Sequence, residues 1–107
     1  RSSGVEPWLR SVPEDELAGV VAAEHAALRE RWSGGSVGVV APVDRVADLA
    51  DALGDAIVMT ATQAKGLEWD ATLVVDPDGI VAEPRGWNGL YVALTRCTQE
   101  LGRVEIA

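Results

Sequence analysis

A chain of 107 residues and 11.3 kDa has room for one compact domain, burying roughly 60–70% of its unfolded surface, and for no second core. Hydrophobic residues at 48% and charged residues at 24%, with four Trp and no Phe, exclude a disordered or fibrous chain, while a formal charge of −8 argues against tight autonomous binding to a phosphate backbone. The single cysteine, Cys97, leaves no internal disulfide to form, and no apolar run approaches the roughly 20 residues that span a bilayer, so a cytoplasmic setting without membrane contact is expected.

Residues 1–12 carry Ser, Gly and Pro with Trp8 and Leu9 as their only large apolar side chains, which reads as a lead-in strand or linker. The chain starts at Arg1 without a signal-peptide pattern, so a piece of a longer protein is expected, with the domain proper over 13–107. Pro13 followed by Glu14, Asp15 and Glu16 suits a helix start, because Pro fits the first turn and carboxylates complement the positive end of the helix dipole. Leu17, Val21, Leu28 and Trp32 then recur at spacings of four and seven, and Gly34–Gly35 ends the helix; His25 falls on its exposed side.

Val37–Ala41 is a short continuous apolar run, the mark of a strand covered on both faces. Asp44 can cap a second helix with Val46, Leu49, Ala50 and Leu53 inward, closed by Gly54. Ala56–Thr60 and Ala71–Asp76 are further buried-type strands, and Pro77-Asp78-Gly79 is a turn signal. Leu90, Leu94, Cys97 and Leu101 draw an apolar stripe for a last helix, with Cys97 a small inward hydrophobe, and Val104–Ile106 returns as a strand. Buried strands alternating with helices predict an α/β domain of three layers, a mostly parallel sheet flanked by helices. Ligands of such sheets sit beyond the strand carboxyl ends, after Thr60 and Asp76.

Two segments carry candidate chemistry. In the loop Ala61–Asp70, Gly66 permits a left-handed backbone, Lys65 offers a phosphate-seeking cation and Glu68 an acceptor for a hydroxyl pair such as a ribose; a solvated loop with a surface Lys–Glu pair is the plainer alternative. In LYVALTRC (Leu90–Cys97), Arg96 lies off the inward stripe, where its guanidinium suits two-point contact with phosphate oxygens; the alternative is an exposed helix Arg paired with Glu100. Trp69 and Trp87 read as packing groups in preference to base-stacking platforms, since this surface is acidic. No companion ligands accompany His25, and no metal site is expected.

Taken together, TATQAKGLEWD (Thr60–Asp70) and LYVALTRC, in this order and spacing, resemble motifs V and VI of superfamily 1 helicases of the UvrD/Rep-like group. The resemblance implies the second, C-terminal RecA-like domain of a motor in which two such domains close on ATP and Mg²⁺ and ratchet along single-stranded DNA. It implies that Arg96 is the arginine finger of motif VI, that Glu68 lies near the nucleotide ribose, and that Gly66 lets the loop approach ligand. Lys65 is implied at the nucleotide or as a brace of the loop, and Thr60 and Thr62 on the DNA-facing part of motif V. Arg45, after the strand where motif IV falls, and Gln63 are weaker candidates.

Many relatives carry His where this chain has Thr62, and the gap of about 15 residues between Arg45 and Thr60 leaves no room for the accessory domain of the UvrD/Rep type. The compact form is similar to HelD-like proteins that act on RNA polymerase, which gives a second functional expectation; a degenerate, non-catalytic RecA-like binding module is a third, and a free-standing small-molecule-binding domain a fourth. No G-x-x-x-x-G-K-[ST] loop is present, so ATP and Mg²⁺ are expected to be held mainly by an N-terminal RecA-like partner domain of the same chain, and this segment alone is not expected to hydrolyse ATP or unwind DNA.

Overall fold

The computed structural model describes residues 6–54, 56–84 and 86–107. In chain order the elements are β1 (Trp8–Val12), a 3₁₀ turn (Glu14–Glu16), α1 (Leu17–Arg31), β2 (Val37–Val40), α2 (Val43–Leu53), β3 (Ile57–Met59), β4 (Trp69–Val75), α3 (Pro77–Val81), α4 (Gly86–Leu94) and β5 (Cys97–Ile106). The five strands form one sheet in the order β1-β5-β4-β2-β3, every pairing parallel. The connections that run towards β3, α1 and α2, pack on one face. Those that run back, the 60–68 loop and α3–α4, pack on the other, as crossovers of a single hand require. The three-layer parallel architecture expected from the sequence is the one observed.

Strand alternation divides the core in two. On the α1/α2 side, Val37, Val39, Ala41, Ala71, Leu73, Val75 and Val104 meet Leu17, Val21, Leu28 and Leu49. On the other, Val40, Val74, Leu101 and Trp69 meet Ala61 and Ala64 of the loop, Ile80 of α3 and Ala93 of α4. A register shift between Trp69 and Ala71 breaks the alternation of β4 and turns Trp69 onto the second side, where its ring covers Gly38 so closely that a Cβ there would overlap it. Trp69 is therefore a packing group, as its sequence context suggests.

Several local expectations are corrected. Of the lead-in strand or linker read over residues 1–12, Trp8–Val12 is a strand, and it joins the sheet itself, pairing with β5 from Trp8↔Gly102 to Val12↔Ile106, while residues 1–5 lie outside the described residues. His25 is buried on the inner face of α1. Asp44 lies in the first turn of α2, but the Val43 N–H is capped by the Glu83 carboxylate at 2.6 Å, from 40 residues along the chain. The Pro77-Asp78-Gly79 turn opens a one-turn helix, α3, capped by Asp76. The last helix stops at Leu94, and Cys97 and Leu101 belong to β5, with Cys97 half-buried at its start. Trp87 is 74% exposed on α4, so it does not serve as a packing group within this domain.

The Glu100 carboxylate is wholly buried on β5 and accepts from Trp8 Nε1 (2.7 Å), Trp32 Nε1 (2.9 Å) and both Nε and Nη2 of Arg31 (2.9 Å each). The pairing of Glu100 with Arg96 considered from a helical reading is thereby overturned. Burial pushes the Glu100 carboxyl up, but the hydrogen bonds from Arg31, Trp32 and Trp8 and the charge of Arg31 prevail and hold it below its ordinary range. The same contact raises the Arg31 guanidinium.

Candidate nucleotide and nucleic-acid site

The loop after β3 begins as a capped turn. The Thr60 hydroxyl accepts from the Gln63 N–H (3.1 Å) while the Gln63 side-chain oxygen accepts from the Thr60 N–H (2.9 Å), a reciprocal capping box. Ala64 N–H reaches back to the Thr60 carbonyl at 3.0 Å, closing one helical turn, and Ala61 and Ala64 bury their methyl groups in the second core. That anchoring leaves Thr62 and Lys65 exposed. Gly66 follows at φ +82, a left-handed conformation in open space that only glycine adopts without strain, and it turns the chain into exposed Leu67 and Glu68 and then Trp69 of β4.

The two ends of this loop lie at opposite edges of the sheet. Met59 is level with Val40 and Val40 with Val74, so Trp69 enters its strand five residues lower, roughly 16 Å at the rise of a strand. Thr60 and Thr62 thus stand at the carboxyl edge and Glu68 at the amino edge. The expectation of one site beyond the strand carboxyl ends describes only the first half of the loop.

Arg96 meets the second half. It occupies the turn between α4 and β5, and not the helix, because the chain must leave its helical path for Cys97 to pair with Trp69. The Trp69 N–H donates to the Arg96 carbonyl at 2.9 Å, which sets Arg96 beside Glu68. The half-buried side chain sends Nη1 to the Leu67 carbonyl (3.4 Å) and Nη2 to the Thr95 hydroxyl (3.2 Å), while Nε is buried without a hydrogen-bond partner among the described residues. Two segments 29 residues apart are joined by this guanidinium, and donors remain for an external acceptor.

Arg45 lies away from this cluster, at the carboxyl edge. Its Nε donates to Asp76 Oδ2 (2.8 Å) and its Nη2 lies 3.3 Å from the Glu14 carboxylate; these hydrogen bonds, Asp76 foremost, raise its pKa. Asp76 adopts a left-handed backbone (φ 54), which Asp tolerates better than most residues, and its Oδ1 accepts from the Gly79 N–H. Thr62, Val43, Glu83 and Pro84 line a cavity of about 390 Å³ at the same edge. The sequence candidates therefore separate into two groups: Glu68 and Arg96 at the amino edge, and Thr60, Thr62, Gln63 and Arg45 at the other, with Lys65 and Gly66 on the stretch of loop between. Thr95 and the Leu67 carbonyl, which touch the Arg96 side chain, were not among the candidates. Their signal was present in a Thr directly before Arg96 at a helix end.

Among the described residues no group of three or more His, Cys, Asp or Glu side chains could hold a metal ion, and no helix is long and apolar enough to cross a membrane.

Residues 55–102, the stretch that holds both motifs, match the family model of the UvrD-like helicase C-terminal domain. The resemblance drawn from Thr60–Asp70 and Leu90–Cys97 is thus borne out. Among solved structures the chain is similar to the C-terminal domain of a possible DNA helicase from Lactobacillus plantarum WCFS1, with a TM-score of 0.78 and 20% identity over 96% of this chain and 75% of that one. At that identity the likeness is one of fold. No curated protein sequence matches the chain.

Proposed function

We propose that this domain is the second motor domain of an ATP-hydrolysing helicase or translocase, bringing Arg96 and Glu68 to a nucleotide whose phosphates and Mg²⁺ are held mainly by a preceding RecA-like domain. The observation that carries the reading is the amino-edge cluster, where a half-buried arginine is fastened to the loop of Gly66 and Glu68 with donors to spare. In this role the Arg96 guanidinium offsets the charge that spreads over the transferred phosphoryl oxygens, an effect worth about 10³–10⁵ in rate for the arginine fingers of nucleoside triphosphatases. The Glu68 carboxylate accepts from ribose hydroxyls. The G-x-x-x-x-G-K-[ST] loop that positions Mg²⁺ is not in this sequence, so that ion is assigned to the partner domain. At the carboxyl edge, the Thr60 hydroxyl accepts from Gln63 and still has its proton to give, and exposed Thr62 is free to bond a nucleic-acid phosphate. Single-stranded DNA is the proposed track.

One observation favours a second reading. Between β2 and β3 there is only α2, with no accessory domain inserted, as in the compact HelD-like ATPases that act on RNA polymerase. ATP turnover by the complete protein separates the readings. Stimulation by single-stranded DNA supports the helicase or translocase, and stimulation by RNA polymerase alone supports the second reading. No turnover under any of these conditions would leave a non-catalytic RecA-like module and overturn both.

A further inference from the structure

We infer that Thr95 is a positioning residue that holds the Arg96 guanidinium at the angle phosphoryl transfer requires, an inference that rests on the nucleotide reading of Arg96. Its hydroxyl lies 2.9 Å from the Tyr91 carbonyl and 3.2 Å from the Val92 carbonyl, both in the last turn of α4, and the Val92 carbonyl also accepts from the Thr95 N–H at 3.2 Å. A threonine hydroxyl has one proton and two lone pairs. The proton is committed to the helix end, so only lone pairs face the guanidinium, and the 3.2 Å contact with Arg96 Nη2 is a hydrogen bond that Arg96 donates. One oxygen atom thereby closes α4 and fixes the arginine that follows it.

The fixing has two sides. Nη1 is held by the Leu67 carbonyl of the neighbouring loop and Nη2 by Thr95 of its own turn, so the plane of the guanidinium is set by contacts from two segments that β4–β5 pairing locks together. A free arginine side chain has rotamer entropy to lose when it is placed. Transition-state stabilisation is sensitive to displacements of a fraction of an ångström, so an arginine ordered before the nucleotide arrives acts on the chemical step more than on binding. The inference therefore concerns kcat.

The test is steady-state ATP turnover by the complete protein carrying Thr95→Val, Thr95→Ser or Arg96→Ala. Val keeps the branched shape and removes the acceptor, whereas Ser keeps the oxygen. Thr95→Val is expected to lower kcat roughly tenfold, the scale of one charge-assisted hydrogen bond, with KM for ATP within about twofold, and Thr95→Ser to restore kcat. Full activity in Thr95→Val, a change confined to KM, or no rescue by Ser overturns the positioning role. If Arg96→Ala itself turns over normally, the nucleotide reading fails instead, so the two failures are distinguishable. Should Thr95→Val not fold, Thr95→Ala is read in the same way, and loss of folding in both assigns the hydroxyl to the fold and overturns the proposal.

Discussion

Four donors from three side chains converge on the Glu100 carboxylate, two indoles and the Nε–Nη2 edge of a guanidinium, drawn from β1 and the end of α1. A buried carboxylate so enclosed tolerates little. Glu100→Gln replaces an acceptor-only group with one that must turn an NH₂ towards those same donors, and it is expected to cost about 3 kcal/mol in a chemical-denaturation experiment. A change below about 0.5 kcal/mol would contradict the geometry. The folded carboxyl sits below its ordinary value of 4.5, so its contribution is complete above that pH and is lost as pH falls below it through the folded value. Unfolding midpoints of the wild type should therefore fall on acidification below that value by more than those of Glu100→Gln. Nothing in the sequence announced this arrangement, because Trp8, Arg31, Trp32 and Glu100 are up to 92 positions apart and only the closed sheet brings them together.

At the scale of elements, the sequence was informative where a pattern has a single period. Val37–Ala41 and Ala71–Asp76 are unbroken apolar runs and became buried strands within a residue or two of the expected bounds. Leu90, Leu94, Cys97 and Leu101 were ambiguous for a physical reason. A spacing of four is one turn of helix and also two full repeats of a strand, so a helix ending at Leu94 followed by a strand carrying Cys97 and Leu101 presents the same stripe as one long helix. The loop from Thr60 to Glu68 was recognisable as a site by its residues, yet its passage from one edge of the sheet to the other depends on strand register, which no local pattern encodes. Its far end is secured by Trp69 lying over Gly38. Gly38→Ala adds a methyl group where the ring already lies and is expected to destabilise the domain by about 1–3 kcal/mol, read from the unfolding midpoint. A neutral substitution would show that Trp69 is not held there.

For the whole molecule, an all-parallel sheet with helices on both faces leaves two usable edges, and the candidate residues occupy both. Arg96 and Glu68 stand at the edge where a nucleotide held by a partner domain is proposed, and Thr60 and Thr62 stand at the edge proposed for a nucleic-acid strand. The single loop that spans the sheet connects them. With a formal charge of −8 the domain contributes little long-range attraction for phosphate, so in the proposed reading the contacts here set register more than affinity. The division of labour comes to a head in one side chain. The most direct measurement is ATP turnover by the complete protein with Arg96→Ala, alongside calorimetric binding of a non-hydrolysable ATP analogue. The account predicts a fall in kcat of about 10³ or more with analogue affinity nearly unchanged. Turnover at the wild-type rate would contradict it.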